Sequence, residues 1–381
     1  MAGIYIHIPF CKTRCVYCDF FSSTSTKRKE AYTDALCREL ALRKDYLNGE
    51  AIATVYFGGG TPSQLHAKDF NRIFRTIEEW FLYPPPEKLL PEITLEANPD
   101  DIDRAYLESL RGLPFNRISL GVQSLKDRDL SFLKRRHDAD KAIRAVACCR
   151  DAGFENISID LIYGLPGQTP DDWMYTLEQA LRLNVRHISA YHLIYEAGTA
   201  LYRLLEAGEI HPADEETSVE LFNRTIDVLT AAGFIHYEIS GFGQPGYFSR
   251  HNTSYWTGKH YLGIGASAHS FNGISRQWNI SSIEDYLRDI SQGIVPAEIE
   301  QIDSRLAYND YILTGLRTMW GIDLAYIQSV FGEKVQADCI RRAQKYLQHG
   351  TLVQEGDTLR LSRKGIFLSD GIMSDLLIVR P

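Results

Sequence analysis

No stretch of the chain stays apolar for the length of a membrane-crossing helix, so a helical membrane span is excluded. Peripheral contact with a membrane is left open. An excess of positive charge is also missing: 41 Lys and Arg stand against 49 Asp and Glu, a net charge of −8. A dedicated nucleic-acid binder normally carries a basic footprint, so nucleic acid is not an expected partner. There is no internal repeat, no low-complexity tract and no signal-peptide pattern, because Met1-Ala-Gly3 leads directly into a strand-like run. The setting expected from this is cytoplasmic and reducing, where cysteines serve more often as metal ligands than in disulfides. Cysteine is sparse and odd in number, seven in all. Cys37, Cys148, Cys149 and Cys339 fall on helix-like stretches and read as small apolar packing residues. Core material is ample: 44% of the 381 residues are hydrophobic, enough for one large domain plus a small one, or two medium ones.

The other three cysteines are Cys11, Cys15 and Cys18, in a C-x3-C-x2-C spacing that follows the strand-like run Gly3–Pro9. Three thiolates on one short loop can converge on one metal centre. No fourth cysteine is close; Asp19 and Phe20 come next. A cubane iron–sulfur cluster has four iron corners usually held by thiolates, so three ligands leave one iron open for a small molecule. The plainer alternative is a zinc site closed by His7, although structural zinc sites commonly pair two well-separated motifs. Spacing alone does not separate the two.

From residue 3 to about 191, strand-like and helix-like segments alternate. The strand candidates are Ile4–Ile8, Ile52–Phe57, Ile93–Ala97, Arg117–Leu120, Ile157–Leu161 and His187–Tyr191, and most look apolar enough to be buried on both faces. Amphipathic stretches lie between them at Lys27–Leu47, Asp69–Phe81, Ile102–Leu110, Lys141–Ala152 and Asp171–Leu183, with Gly153 placed as a helix-terminating glycine. Such alternation means a parallel sheet. Six units predict an α/β fold, a partial TIM-like (β/α)6 barrel over residues 1–240. Barrel sites lie at the C-terminal ends of the strands. The cysteine loop, Gly58-Gly-Gly-Thr-Pro62, Glu96, Gln123, Asp160 and Tyr191 all fall at such ends.

Beyond residue 200 the pattern loosens. Asp214–Ala232 reads as a helix and Tyr237–Ser240 as a strand, followed by an aromatic- and histidine-rich loop region and linker over 241–292. A linker is placed around Gly293–Glu300, and a small winged-helix-like domain over 293–381. Its helices are expected at Ser304–Thr318, Leu324–Phe331 and Gln336–Gln348, with a hairpin turning at Glu355-Gly-Asp357. From Asp303 onward ten Lys and Arg stand against nine Asp and Glu, which implies no basic face, so a structural role outweighs DNA binding. Tyr83–Pro86 reads as a stiff loop.

Glycines 58–60 allow close backbone approach, and successive N–H groups there form an anion nest. Alone the triplet is a tight turn; after a strand and beside the cysteine loop it reads as ligand-binding. Glu96 or Asp160 alone is an ordinary cap or loop acid; in an ordered set on one rim they join the site. A second constellation is His251-Asn-Thr-Ser-Tyr-Trp256. A histidine beside two large aromatics is either a packing residue or an axial haem ligand, with His260 and His269 as weaker competitors.

The cysteine spacing after a first strand resembles the signature of the radical S-adenosylmethionine (SAM) superfamily. The string His7-Ile-Pro-Phe-Cys11, preceded by Tyr5, is similar to the branch holding the oxygen-independent coproporphyrinogen III oxidase and the HemW-type haem chaperones. The likeness extends over nearly the whole chain. It implies a [4Fe-4S] cluster on Cys11, Cys15 and Cys18, with SAM on the fourth iron. It implies that Gly59, Gly60 and Thr61, in the branch's GGGTP form, hold the amino-acid part of SAM. Glu96 would pair its ammonium and Arg135, with Arg136 as rival, its carboxylate. Gln123 and Asp160 would take the ribose, and Tyr5 and Tyr191 would line the cluster or adenine region. The loop Gly263–His269 is expected near the adenosine. The HNxxYW string implies haem on His251, with Tyr255 and Trp256 as walls. Phe20 stands where the oxidase has a fourth cysteine, and the oxidase's N-terminal extension is missing. The expectation is therefore a haem chaperone that passes haem to acceptor haemoproteins and forms a homodimer in some state. The alternative is a radical enzyme that decarboxylates porphyrinogen propionates. Whether the chain turns over as an enzyme is left open.

Overall fold

A computed structural model describes residues 1–85 and 90–379. Six parallel strands form the centre: β1 Ala2–Ile8, β2 Ile52–Gly59, β3 Glu92–Ala97, β4 Arg117–Gln123, β5 Asn156–Tyr163 and β6 His187–His192. All six strand expectations hold, each within a few residues. The helices between them start and stop where the residues dictate. Thr169 caps the helix Pro170–Arg182 by accepting from the Asp172 amide while Asp172 accepts from the Thr169 amide. Gly153, at φ 94°, ends the helix Ala139–Asp151 in a conformation that favours glycine.

The sheet extends beyond this centre. Further strands are β7 Ile235–His236, β8 Gly241–Gly243, β9 Tyr261–Ile264, β10 His269–Phe271, β11 Ser275–Asn279 and β12 Ala297–Gln301. Among the described residues the 12-stranded order is β12-β11-β10-β9-β1-β2-β3-β4-β5-β6-β8-β7, with distinct strands at its two ends. It is an open bowl and not a closed barrel. Residues 241–292, expected as loop, are thus largely sheet and helix. The linker placed at Gly293–Glu300 gives way to β12, paired antiparallel with β11 from Ser275–Gln301 to Asn279–Ala297. Tyr237–Ser240 is the turn between β7 and β8, not a strand. The Tyr237 amide donates to the Gly241 carbonyl, and the Ser240 amide to the Glu238 carboxylate.

A further expectation fails in an informative way: the central strands are not apolar on both faces. Register places Gly3, Tyr5 and His7 beside Thr54, Tyr56 and Gly58. The same row continues through Glu92, Thr94 and Glu96, then Arg117, Ser119 and Gly121, then Asn156, Ser158 and Asp160, and ends at His187, Ser189 and Tyr191. The concave face is lined mainly by polar side chains and glycines, with the apolar Ile162 beside Tyr191. The alternate residues are Ile4, Ile6, Ile8, Val55, Phe57, Ile93, Leu95, Ile118, Leu120, Ile157 and Ile159, all buried against the outer helices. Hydrophobic burial, at about 25 cal/mol per Å², therefore acts on the convex side and frees the interior for chemistry.

The chain leaves the sheet after β12. Helices Ser304–Gly315, Leu324–Phe331 and Glu333–Gln348 pack with β13 Ile322–Asp323, β14 Leu352–Glu355 and β15 Thr358–Leu361 in the winged-helix-like arrangement expected. Arg363 reaches back to Asp227 at 2.5 Å, and Phe367 meets Phe222 edge-on at 4.8 Å. Pro86 of the Tyr83–Pro86 loop lies outside the described residues.

Candidate functional site

The cysteine loop is closed at its base. The Cys11 amide donates to the Ser23 carbonyl at 3.0 Å and the Ser23 amide to the Pro9 carbonyl at 2.6 Å. Cys11 is buried, and Cys15 and Cys18 are half-buried. Thr61 Oγ1 donates to Cys11 Sγ at 3.4 Å and Arg135 Nη1 to Cys15 Sγ at 3.2 Å. A Cβ on Gly60 would lie 3.0 Å from Cys11 Sγ, so only glycine lets the second strand end come this close. Burial pushes the Cys11 thiol up and the Cys18 thiol up to about 11, and each also feels Cys15.

Zinc does not fit. A single zinc needs all its ligands within about 2.0–2.3 Å of one point. Among the described residues no three Cys, His, Asp or Glu side chains gather in that way. The ring of His7 is already shared between the Tyr5 hydroxyl at 3.2 Å and the Phe21 carbonyl at 3.0 Å. A cubane, which spreads its thiolates over separate irons, suits the wider set.

Around the loop, the strand ends gather the other expected residues. Arg135 Nη2 donates to the Gly121 carbonyl at 2.6 Å, and its Nε is buried with no partner among the described residues. Arg136 is taken by Asp100 and Asp101, while Arg135 faces the cysteine loop. Gln123, at φ 68°, folds back so that its Nε2 would lie 2.8 Å from a Cβ on Gly121. Gly59, at φ 106°, sits over the His7 ring, with 2.6 Å left for a Cβ. Glu96 accepts from the Tyr56 hydroxyl at 2.6 Å. Burial, then the nearby Asp160, raises it to about 7 despite the Tyr56 bond. Asp160 is also raised by burial, against the pull of Ser189, Arg117 and Arg135. Tyr191, 44% exposed, stands beside Asp160 and Glu238 at the mouth. Tyr5 lies one layer lower, stacked at 6.1 Å on Tyr56. Two carboxylates in mutual repulsion favour a cation between them, and an arginine with a spare buried donor favours an anion. That is the charge pattern of a zwitterionic amino acid, so the donor set fits SAM.

The histidine constellation lies elsewhere. The helix Arg250–Trp256 plugs the opposite end of the bowl, its first amides bonded to Glu92 at 3.0 and 2.9 Å. His251 is 1% exposed. One ring nitrogen meets Thr54 Oγ1 at 2.7 Å and the other the Tyr255 hydroxyl at 2.8 Å, and the ring stacks on Tyr56 at 5.0 Å. Burial drives its pKa down to about 3. In this arrangement His251 has no open nitrogen. Trp256 is half-buried, and His260 is held by Glu50.

Sequence reasoning missed the supporting set: Thr54, Tyr56, Thr94, Arg117, Ser158, His187 and Ser189 on the inner face, and Glu39 behind it. Period-two alternation of polar and apolar residues was the available signal.

The chain matches the Radical SAM superfamily over residues 5–180 and the HemN C-terminal domain over residues 302–368. It is 34% identical to the haem chaperone HemW of Mycobacterium tuberculosis, over 98% of this chain and 94% of that one. With HemW of Bacillus subtilis the identity is 30%, over 99% of both. Coproporphyrinogen III oxidase (HemN) from Escherichia coli superposes with a TM-score of 0.85 at 23% identity, over 100% of this chain and 90% of that one, which shows a shared fold. With its cysteine loop at the mouth of a polar bowl and its full-length kinship to these chaperones, the chain belongs to the radical SAM superfamily, within the HemW haem-chaperone family.

Proposed function

We propose that this protein is a haem chaperone that carries a [4Fe-4S] cluster and SAM and passes haem to acceptor haemoproteins. The observation that carries the reading is full-length identity to HemW chaperones at 34% over 98% of the chain. Haem is the cargo; the cluster and SAM are resident. Cys11, Cys15 and Cys18 hold the cluster, which when bound supplies one-electron reducing power. Gly59, Gly60 and Thr61 present backbone and hydroxyl groups to the amino-acid end of SAM, Glu96 takes its ammonium and Arg135 its carboxylate. Gln123 and Asp160 hold the ribose, and Tyr5 and Tyr191 close the cavity from below and above. His251 acts as a positioning residue that locks Tyr255 and Tyr56 across the floor, and Trp256 lies at the edge of that plug.

All seven cysteines are free, which suits a reducing compartment, and we place the protein in the cytoplasm. No helix among the described residues is long and apolar enough to cross a membrane. The proposed partners are haem, an acceptor haemoprotein and a second copy of the chain. The test is anaerobic reconstitution followed by two parallel assays, haem titration and vinyl formation from coproporphyrinogen. Stoichiometric haem binding without decarboxylation is expected. Turnover of coproporphyrinogen overturns the reading in favour of the oxidase.

A further inference from the structure

We infer that Arg117 is the centre of a further binding site, for a small monovalent oxyanion such as a carboxylate, on the rung of β3, β4 and β5 beneath the SAM cavity. The site shares no residue with the cluster loop or the SAM contacts and does not depend on the haem-chaperone reading. Register carries the argument. Thr94 pairs with Arg117, and Arg117 with Asn156. Directly paired residues share a face, so the three stand side by side on the concave side of the sheet.

This rung departs from its neighbours. Arg117 is 1% exposed and Thr94 fully buried. Among the described residues Arg117 Nε and Nη1, Thr94 Oγ1 and Asn156 Oδ1 are all buried without a hydrogen-bond partner. To either side the groups are closed. His187 is bonded to Ser158 and Tyr237, both at 2.8 Å, and His251 to Thr54 at 2.7 Å. The acids nearby are engaged elsewhere. Glu92 accepts from the Arg250 and His251 amides at 3.0 and 2.9 Å. Glu96 and Asp160, higher on the same strands, feel the Arg117 charge, but Glu96 is bonded to the Tyr56 hydroxyl at 2.6 Å.

A buried charge is costly unless it is paired, and guanidinium donors suit the oxygens of a carboxylate. Thr94 adds a hydroxyl donor, and the Asn156 amide can turn to offer its nitrogen or its oxygen. One guanidinium is balanced by one negative charge, which favours a monovalent anion over a doubly charged phosphate. The closed neighbours limit the occupant to a few atoms. A way in exists from below. A cavity of about 370 Å³ lies where the chain enters β4 and β5, and its walls include Phe115, Asn116, Phe154, Glu155, Asn156 and Tyr247. Asn156 thus joins the cavity to the rung. The Arg186 guanidinium lies over the Tyr247 ring at 5.1 Å and draws anions to that opening, against the exposed Glu155.

The test uses the reconstituted full chain with saturating SAM, so that the donors of Arg135 are already occupied. Binding of ¹³C-labelled formate is read by line broadening. Urea midpoints are compared in formate and in chloride at equal ionic strength. The wild type is expected to show one saturable formate site and a midpoint that rises with formate, because a ligand of the folded state stabilises it. Arg117→Met should weaken formate binding at least about ten-fold and lose the formate-dependent rise. It should fold at least as well as the wild type in chloride, since it removes an unpaired buried charge. Thr94→Val should weaken formate binding about five-fold, and it decides the matter if Arg117→Met fails to fold. Formate binding unchanged in either variant overturns the assignment. So does binding seen only when SAM is left out, which would place the anion on Arg135. A wild type blind to formate also overturns it and makes water the partner of the rung. None of these results touches the chaperone reading, which haem titration tests separately.

Discussion

The rim and the floor of the bowl are built from the same residue types and behave oppositely. At the floor, His251, Thr54, His187 and Tyr237 are buried, with their ring nitrogens and hydroxyls engaged in bonds of 2.7–2.8 Å. At the rim, Arg135 has a donor without a partner among the described residues, two carboxylates sit in repulsion, and His269 and Tyr191 face solvent. Buried polar groups are costly unless bonded, so the floor outside the Arg117 rung satisfies its own groups while the rim keeps a cost that a bound ligand would relieve. The difference teaches that depth along the strand, more than residue type, separates ligand-binding groups from structural ones.

The largest test acts on the rim. Cys15→Ala should remove essentially all iron from the reconstituted protein, read by iron analysis and visible absorbance. The apo protein should lose no more than about 1 kcal/mol in urea denaturation, because Cys15 is only half-buried and gives up one hydrogen bond, from Arg135. Retained iron would remove Cys15 from the ligand set. A large loss of stability would make the loop part of the scaffold and erase the distinction between rim and floor.

The second acts on the floor and should do the reverse. His251→Ala deletes two buried hydrogen bonds and leaves Thr54 and Tyr255 facing a void. A cost of about 2–4 kcal/mol in urea denaturation is expected. SAM affinity, measured by calorimetry on the cluster-loaded protein, should stay within about three-fold, since distant sites are nearly independent. A stable His251→Ala protein with weakened haem binding would make His251 a haem ligand and not a structural residue.

How much of this was legible follows the same line. The six central strands and the rim positions of Cys11, Gly59, Glu96, Asp160 and Tyr191 were readable because strand–helix alternation fixes which residues end a strand. The three-stranded continuation β10-β11-β12 was not. Those strands are short, and Gly263, Gly265 and Gly273 break the hydrophobic run that would announce them. They are tied to the rest of the fold by Glu39, which lies 226 positions from the Gly265 amide that donates to it. The packing of His251 was illegible for a related reason: its motif is short and local, while the residues against it, Thr54 and Tyr56, are far away in sequence. Arg135 and Arg136 were inseparable until Asp100 and Asp101 were seen to hold the second.

The smallest expected effect sharpens the rim itself. Glu96 is raised from its ordinary 4.5 to about 7 by burial and by Asp160, and the groups facing it are Tyr56, Asp160, Arg117 and the Gly59 amide. Between these two pH values the folded form retains a proton that the unfolded chain has released. Stability therefore falls as pH rises through that window, and the cost is fully present above it. Asp160, shifted the same way, adds to the slope. SAM brings a cation to this acid, so its binding favours the ionised form and its affinity should rise with pH. A gain of about ten-fold from pH 6 to pH 8 corresponds to one pKa unit of coupling. Glu96→Gln should flatten this rise and the Glu96 part of the stability slope together. Calorimetric titration across that range checks the first, and urea midpoints the second. An affinity that ignores pH in the wild type would take Glu96 out of the cation's reach, and a slope that survives in Glu96→Gln would assign it to Asp160 alone.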